Sequence, residues 1–312
     1  MRNILIASLL VLVFATLQSF AEETIKPIDE AGIYLDGECK AIASSPDGST
    51  YVLMLDKKLI KIDSYGYKKE IPIPFNKQLQ NLNDYFCDMA VDNRAAYFCC
   101  YNSSSIVALD LKNPKELKAL KLSYENKPIR PMLLNKTKDG WTIKDFDYRT
   151  FKVDGKGNLT LLPNFSEVML DRDGKPVIKV NPYHKDGKLV FPGKMNNEKN
   201  ETRWTAPTPE PPLVVMNVEY LGYDTNQDVD MYLAKYSSGD LTLDNRLFAV
   251  DSNNEIIAQR LIPPTTLSFI MRYCKLANDG SIIAVYCDPE NPDYRVILKK
   301  FELTPDTPPQ KG

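Results

Sequence analysis

The chain of 312 residues is 43% hydrophobic and 26% charged, the balance of a soluble globular protein and not of a disordered, collagen-like or polytopic membrane chain. Lys+Arg at 39 against Asp+Glu at 41 leave a net charge of −2. No overall field draws nucleic acid or anionic lipid, and no local basic patch makes up for it. A single histidine excludes zinc sites built on several histidines and HExxH proteases, and no CxxCH haem attachment is present.

At the N-terminus Arg2 precedes an apolar run of 14 residues from Ile4 to Leu17. Ser19-Phe20-Ala21 then places small residues at −3 and −1 of a cleavage site, the layout of a secretory signal peptide over residues 1–21. Fourteen apolar residues are short for a membrane span, and no Cys follows the run to carry a lipid. The expectation is an exported protein, secreted or periplasmic, with no membrane insertion once the leader is removed.

A unit then recurs along the chain: a strand-like run, an Asp-centred turn, a second strand-like run. The turns are Asp47-Gly48, Asp92-Asn93, Asp139-Gly140, Asp186-Gly187, Asp228-Val229 and Asp279-Gly280, spaced by 45, 47, 47, 42 and 51 residues. Asp-Gly between β-rich runs is a hairpin signal, because Gly accepts the positive φ of the turn. Third runs follow and often end in Asp, as in 58–63, 105–110, 149–154 and 246–251; fourth runs are readable at 68–74, 116–122, 159–163 and 255–262. Four antiparallel strands per 40–50 residues is the signature of a propeller blade. The sixth repeat lacks a fourth strand, which the N-terminal segment 30–35 is expected to supply. Segment 193–212, polar and then proline-rich, reads as a long loop or degraded outer strand. The fold expected is all-β, a six-bladed β-propeller over 22–304 closed by an N-terminal strand, with a disordered tail at 305–312.

The runs 46–70 and 278–303 resemble the six-bladed β-propeller superfamily of NHL-type and TolB-like repeats. That resemblance implies scaffolding, ligand binding or, in some branches, metal-dependent lactone hydrolysis. The lactonase-like branch carries an acidic residue in an E-G-P context on its first inner strand. Here Glu38 stands in GECKAIA (37–43), and that context is missing, as are the WD dipeptides of WD40 repeats.

Six cysteines in an exported chain favour disulfides over zinc. Cys87 to Cys100 and Cys274 to Cys287 share the spacing C-x12-C, each with the Asp-centred turn five residues after the first Cys. Two intrablade bridges are expected, although a register shift of one residue exchanges Cys99 for Cys100. Cys39 and Cys99 remain, either bridged to each other or free. A redox role for Cys99-Cys100 lacks a neighbouring cation or helix N-terminus to lower a thiol pKa.

DTNQDVD (224–230) alternates oxygen side chains as a calcium loop does, but Val229 and Lys235 occupy the positions of the EF-hand glycine and glutamate. His184 has no nucleophile elbow to serve, and no phosphate-binding glycine loop occurs. Five N-x-[ST] sequons, at Asn102, Asn135, Asn158, Asn164 and Asn200, are acceptors only in a eukaryotic secretory route. The expected function is an exported non-catalytic module that binds a protein or a small polar ligand, without cofactor. The alternative is a calcium-dependent lactonase-like hydrolase at the channel mouth. The mouth opposite the Asp turns is expected to gather Glu38, Asp56, Asn102, Arg130, Asp145, Arg272 and Asp288.

Overall fold

Short runs of β-branched and aromatic residues, punctuated by Asp, Asn and Gly, fold into strands and no helix among the described residues. The computed structural model describes residues 23–29, 31–74, 86–115, 117–162, 183–185, 188–196, 199–207, 214–237, 243–253, 255–262, 272–288, 290 and 295–305. The expected leader, the turn Asp186-Gly187 and the tail from 306 lie outside these residues.

Strands β1 (Glu23–Pro27) and β2 (Ile33–Asp36) precede a first sheet of β3 (Cys39–Ser44), β4 (Thr50–Met54), β5 (Leu59–Ile62) and β6 (Lys68–Ile71). The second sheet is β7 (Phe86–Val91), β8 (Ala95–Cys100), β9 (Ser105–Asp110) and β10 (Leu117–Lys121). A ribbon, β11 (Ser123–Tyr124) with β12 (Lys127–Pro128), leads to the third: β13 (Pro131–Thr137), β14 (Gly140–Asp145), β15 (Thr150–Asp154) and β16 (Leu159–Leu162). Next comes a three-stranded sheet, β17 (Tyr183–Lys185), β18 (Lys188–Asn196) and β19 (Lys199–Pro207). Then follow β20 (Val214–Asp224), β21 (Val229–Ser237), β22 (Leu243–Val250) and β23 (Ile256–Ile262). The last sheet is β24 (Cys274–Leu276), β25 (Ile282–Cys287) and β26 (Arg295–Pro305), joined by β1 and β2.

Every sheet is antiparallel, and five of them have four or more strands. These five are blades of a β-propeller. Their first strands pack side by side about a common axis: β20 on β24, β24 on β3, β3 on β7 and β7 on β13. Burial follows distance from that axis. Every residue of β7 is buried, whereas β10 and β6 at the outer edge are mostly exposed. The core lies between blades. Tyr51, Leu53 and Ile71 of the first sheet meet Phe86, Met89 and Phe98 of the second, and the rings of Phe86 and Phe98 stack at 5.1 Å.

Three local expectations change. Of the two readings of 193–212, a long loop or a degraded outer strand, the described part is strand: β18 pairs with β19 in a register that slips at Phe191/Pro192 and Pro192/Met195, where proline lacks the N–H that a regular ladder needs. β26 has 11 residues, about twice an ordinary strand, so its edge takes two N-terminal partners. β2 pairs with Arg295–Leu298 and β1 with Phe301–Pro305, which also carries β26 one residue into the expected tail.

The expected disulfides are not present in the structure, and the strand registers do not set the two cysteines of either expected pair opposite each other. On both hairpins the Asp lies five residues after the first Cys, yet it occupies different places in the two turns. Asp92 N–H donates to Ala95 O, leaving a loop of Asn93 and Arg94. Ala277 N–H donates to Ser281 O, leaving a longer loop of Asn278, Asp279 and Gly280. Cys274 therefore faces Ala284, while Cys287 faces Val296 of β26. On β7 a bulge at Cys87 sets Cys100 opposite Phe86 and Cys99 opposite Asp88. Cys100 packs with Phe86 and Phe98, and Cys87 packs on the other face with Cys99 and Ile106.

Two outcomes follow. Alkylation in denaturant without reductant, read by intact mass, labels all six thiols; native labelling stops at Cys287, the single cysteine that is not fully buried. Gly140 has φ +155, and a Cβ there lies 2.1 Å from the Val153 carbonyl oxygen. Gly140→Ala lowers stability by about 1–3 kcal/mol, measured by urea denaturation.

Candidate ligand-binding site

The aspartates of the repeats mostly build turns. Asp47 and Asp279 Oδ1 accept the N–H of Ser49 and Ser281, both at 3.0 Å, while Gly48 and Gly280 take φ +80 and +84. The aspartates that end third strands do the same work at the next turn. Asp63 receives Tyr65 and Tyr67 N–H, Asp110 receives Lys112 and Asn113, Asp154 receives Lys156 and Asn158, and Asp251 receives Asn253 and Glu255. Short acidic side chains satisfy backbone donors that the turn leaves without ladder partners.

Several of the seven residues expected at the mouth belong to that class. Asp56 accepts the Lys58 N–H at 3.3 Å and pairs with its ammonium at 2.7 Å on the surface. Asp145 is buried under Arg149, whose Nε and Nη2 donate to Oδ2 at 2.9 and 2.6 Å. Asp288, also buried, accepts the Glu290 N–H at 3.0 Å and faces Arg295. Asn102 is exposed in the turn after β8. Arg130, exposed, donates to the Tyr101 hydroxyl at 3.0 Å and lies over that ring. Glu38 is half-buried, with Oε2 buried and without a hydrogen-bond partner.

Arg272, of the seven, lines a cavity between the inner strands. Its Nη2 donates to Asp88 Oδ2 on β7 and to the Leu134 carbonyl on β13. Lys275 Nζ, on β24 three residues later, donates to Asp88 Oδ1 at 2.8 Å and to the Met89 carbonyl at 2.9 Å. Leu134 N–H gives Asp88 a further bond at 2.9 Å. The last blade thus grips the second and third from across the channel. Burial would raise the Asp88 carboxyl, but Arg272, Lys275 and the Leu134 N–H outweigh it and hold the pKa below the ordinary value. Burial and the adjacent guanidinium lower the Lys275 ammonium to about 8, with Asp88 opposing them.

Beside this cluster lies a cavity of about 260 Å³, walled by inner strands β3, β7, β13, β20 and β24. Its lining includes Ser44, Val91, Lys136 and Asn278, which stand just before the Asp turns, and Asn278 is exposed. The cavity therefore opens on the turn-bearing face, opposite to the mouth that the sequence pointed to. Leu133, Tyr220 and Leu221 give it apolar walls; Lys136, Lys144, Arg272, Lys275 and Glu219 supply charge. Glu219 accepts from Lys235 Nζ at 2.5 Å. Sequence reasoning missed Asp88, Lys136, Lys144, Glu219 and Lys275; a charged residue in a strand otherwise reading as buried was the available signal.

Calcium, which the lactonase-like reading implies, does not fit these side chains. Among the described residues no three His, Cys, Asp or Glu side chains converge as metal ligands. Asp88 and Glu219 already serve ammonium and guanidinium groups. In the loop 224–230, Asp228 accepts from the Tyr223 hydroxyl and Asp230 from the Tyr220 hydroxyl. Nor do the thiols suit redox work: burial pushes Cys39 up to about 12, against Lys275, and raises Cys99 and Cys274 as well. His184 sits in β17 opposite Leu189.

No protein-family profile matches the chain, and no curated protein does. Solved structures do. A candidate gluconolactonase aligns over 89% of this chain and 94% of its own, at 11% identity and a TM-score of 0.51. A member of the DUF4221 family from Bacteroides vulgatus covers 91% and 97%, at 12% identity and 0.48. A streptogramin B lyase covers 92% and 100%, at 13% identity and 0.46. At such identities the likeness concerns the fold alone.

Replacing Asp88 leaves two buried cations without their carboxylate. Asp88→Asn destabilises by about 3–5 kcal/mol in urea titration. The folded pKa of Asp88 lies below its ordinary 3.8, so its contribution is present above that value and lost as pH falls through the folded one. The variant accordingly shows a shallower acid limb in a plot of stability against pH.

Proposed function

We propose that this chain is an exported, non-catalytic β-propeller that binds a small polar ligand in its axial cavity. The observation that carries the reading is the cavity itself: a concave, partly apolar space on the axis with a few converging polar groups, the usual form of a small-molecule site. Among the described residues the carboxylates nearest to it, Glu219 and Asp88, are engaged by cations, which favours binding over hydrolysis. Scaffolding of a protein partner is the neighbouring role, with the loops of the two faces as its surfaces.

The finer architecture belongs to the same proposal. The three-stranded sheet β17–β19 stands as a reduced sixth blade between the third sheet and the sheet of β20–β23. Pairing of β1 and β2 with β26 acts as the closure of the ring, and the leader directs the chain out of the cytoplasm. Rigid walls made of inner strands suit a ligand read by shape and charge, and need no moving lid.

A thermal-shift panel of small polar solutes tests the reading. A ligand at a hundred times its Kd adds about 2.7 kcal/mol of stability by mass action. The expected result is a raised Tm for at least one solute, abolished in Ser44→Trp, which fills the cavity. No shift with any solute sinks the proposal. Lactone turnover by protein that retains divalent metal after dialysis replaces it with the hydrolase.

A further inference from the structure

A second cavity, of about 340 Å³, opens between the outer parts of the first and second blades. It lies within the range of about 300–1,000 Å³ usual for small-molecule sites. No residue of an inner strand lines it. One wall is the face of the first blade that carries Tyr51, Lys61 and Lys69. The ladder sets Tyr51 opposite Lys61 and Lys61 opposite Lys69, so the three stand in a row across β4, β5 and β6. Ile71 stands on the same face at the end of β6, and Asp47 joins the lining from the turn after β3. The facing wall belongs to the second blade, with Asp92 and Asn93 from the turn after β7 and Leu111, Lys112 and Pro114 from the turn after β9.

The carboxylates of the two turns are already in use. Asp47 accepts from the Ser45 hydroxyl, from the Ser49 N–H at 3.0 Å and from the Lys61 ammonium at 3.3 Å. Asp92 accepts the N–H groups of Arg94 and Ala95 at 2.8 and 2.9 Å and the Tyr97 hydroxyl at 2.8 Å, with Lys136 as a more distant cation. Lys61, Lys69 and Lys112 in the lining are matched by Asp47, Glu70 and Asp92, so neither sign calls for a counter-ion from solution. The cleft is still rich in hydrogen-bonding groups. The side chains of Asp47 and Lys61 are 52% and 30% exposed, and the water they meet is replaceable by a ligand hydroxyl. Lys69, Asn93 and Lys112, all exposed, add donors, while Ile71, Leu111 and Pro114 add apolar surface.

We propose that this cleft binds a neutral polyhydroxylated molecule, a mono- or disaccharide, independently of the axial cavity. A sugar hydroxyl both donates and accepts, so it serves carboxylates and ammonium groups alike. The C–H faces of its ring suit Ile71, Leu111 and Pro114, and its hydroxyl rim suits the polar residues around them. An ionic ligand gains from one sign of charge here and loses to the other. An apolar ligand strips water from Asp47 and Lys61 and gives no hydrogen bond in return.

Saturation-transfer NMR and isothermal titration of the full protein with glucose, galactose, maltose and lactose test the assignment. At least one sugar binds with a Kd of about 1 mM or tighter, and its affinity holds within about twofold as salt rises to physiological strength. Lys69→Met combined with Lys112→Met, both at exposed positions, weakens that binding about fivefold or more. Asp47→Asn, which keeps an acceptor for the Ser49 N–H, weakens it about threefold. Ser44→Trp, which fills the axial cavity, leaves it unchanged. If no sugar binds, the cleft proposal is overturned, and the axial reading stands or falls on its own solute panel. Sugar binding that is unmoved by the lysine pair and by Asp47→Asn also overturns it. If that binding is lost in Ser44→Trp, the sugar occupies the axial cavity, and the small-ligand reading survives without the cleft.

Discussion

A buried carboxylate reached from across the channel sets the geometry of the molecule. Asp88 sits on a strand buried along its whole length, where an ionised group costs several kcal/mol unless compensated. Compensation comes from Arg272 and Lys275, 184 and 187 positions later in the chain, and from a backbone N–H of the third blade. Neighbouring blades hold one another through apolar faces, which accept many small displacements. The charged contact accepts few, since its three blades must meet at fixed hydrogen-bond distances. It thereby fixes the width of the channel beside the cavity.

The same residue type does a different task at the periphery. Asp at the first, second and third turns of a blade accepts backbone N–H groups, and much of the chain's acidity is spent on this. Asp145 and Asp288 illustrate the result: both are buried, both accept from the turn they begin, and both face an arginine of their own blade.

What the sequence discloses follows from the range of the forces involved. Alternation and turn chemistry act within a few residues, so the strand runs ending at Asp63, Asp110, Asp154 and Asp251 were readable, as were the outer strands after them. The position of the site was not. Arg272 could be placed near the channel by its repeat position, but its partner lies in another blade and no local pattern announces it. Register is intermediate. The turns after β7 and β24 have loops of different length though both contain an Asp at the same distance from a Cys, and the bulge at Cys87 leaves no mark in residue type. A single inserted residue was enough to part Cys87 from Cys100. Proline told the truth in a different form: Pro192 does not end β18 but offsets it.

The pairing of β1 and β2 with β26 has a consequence in time. Residues 23–36 leave the ribosome long before the edge they need, which is made only after residue 295. Until then the N-terminal strands have no ladder partner, and the last sheet lacks its outer edge. Closing so long a loop is entropically slow, and non-local β pairing slows folding generally. A nascent chain of this kind stays unfinished for as long as it is being synthesised. That delay makes any C-terminal truncation before β26 a species with two orphaned strands at its start.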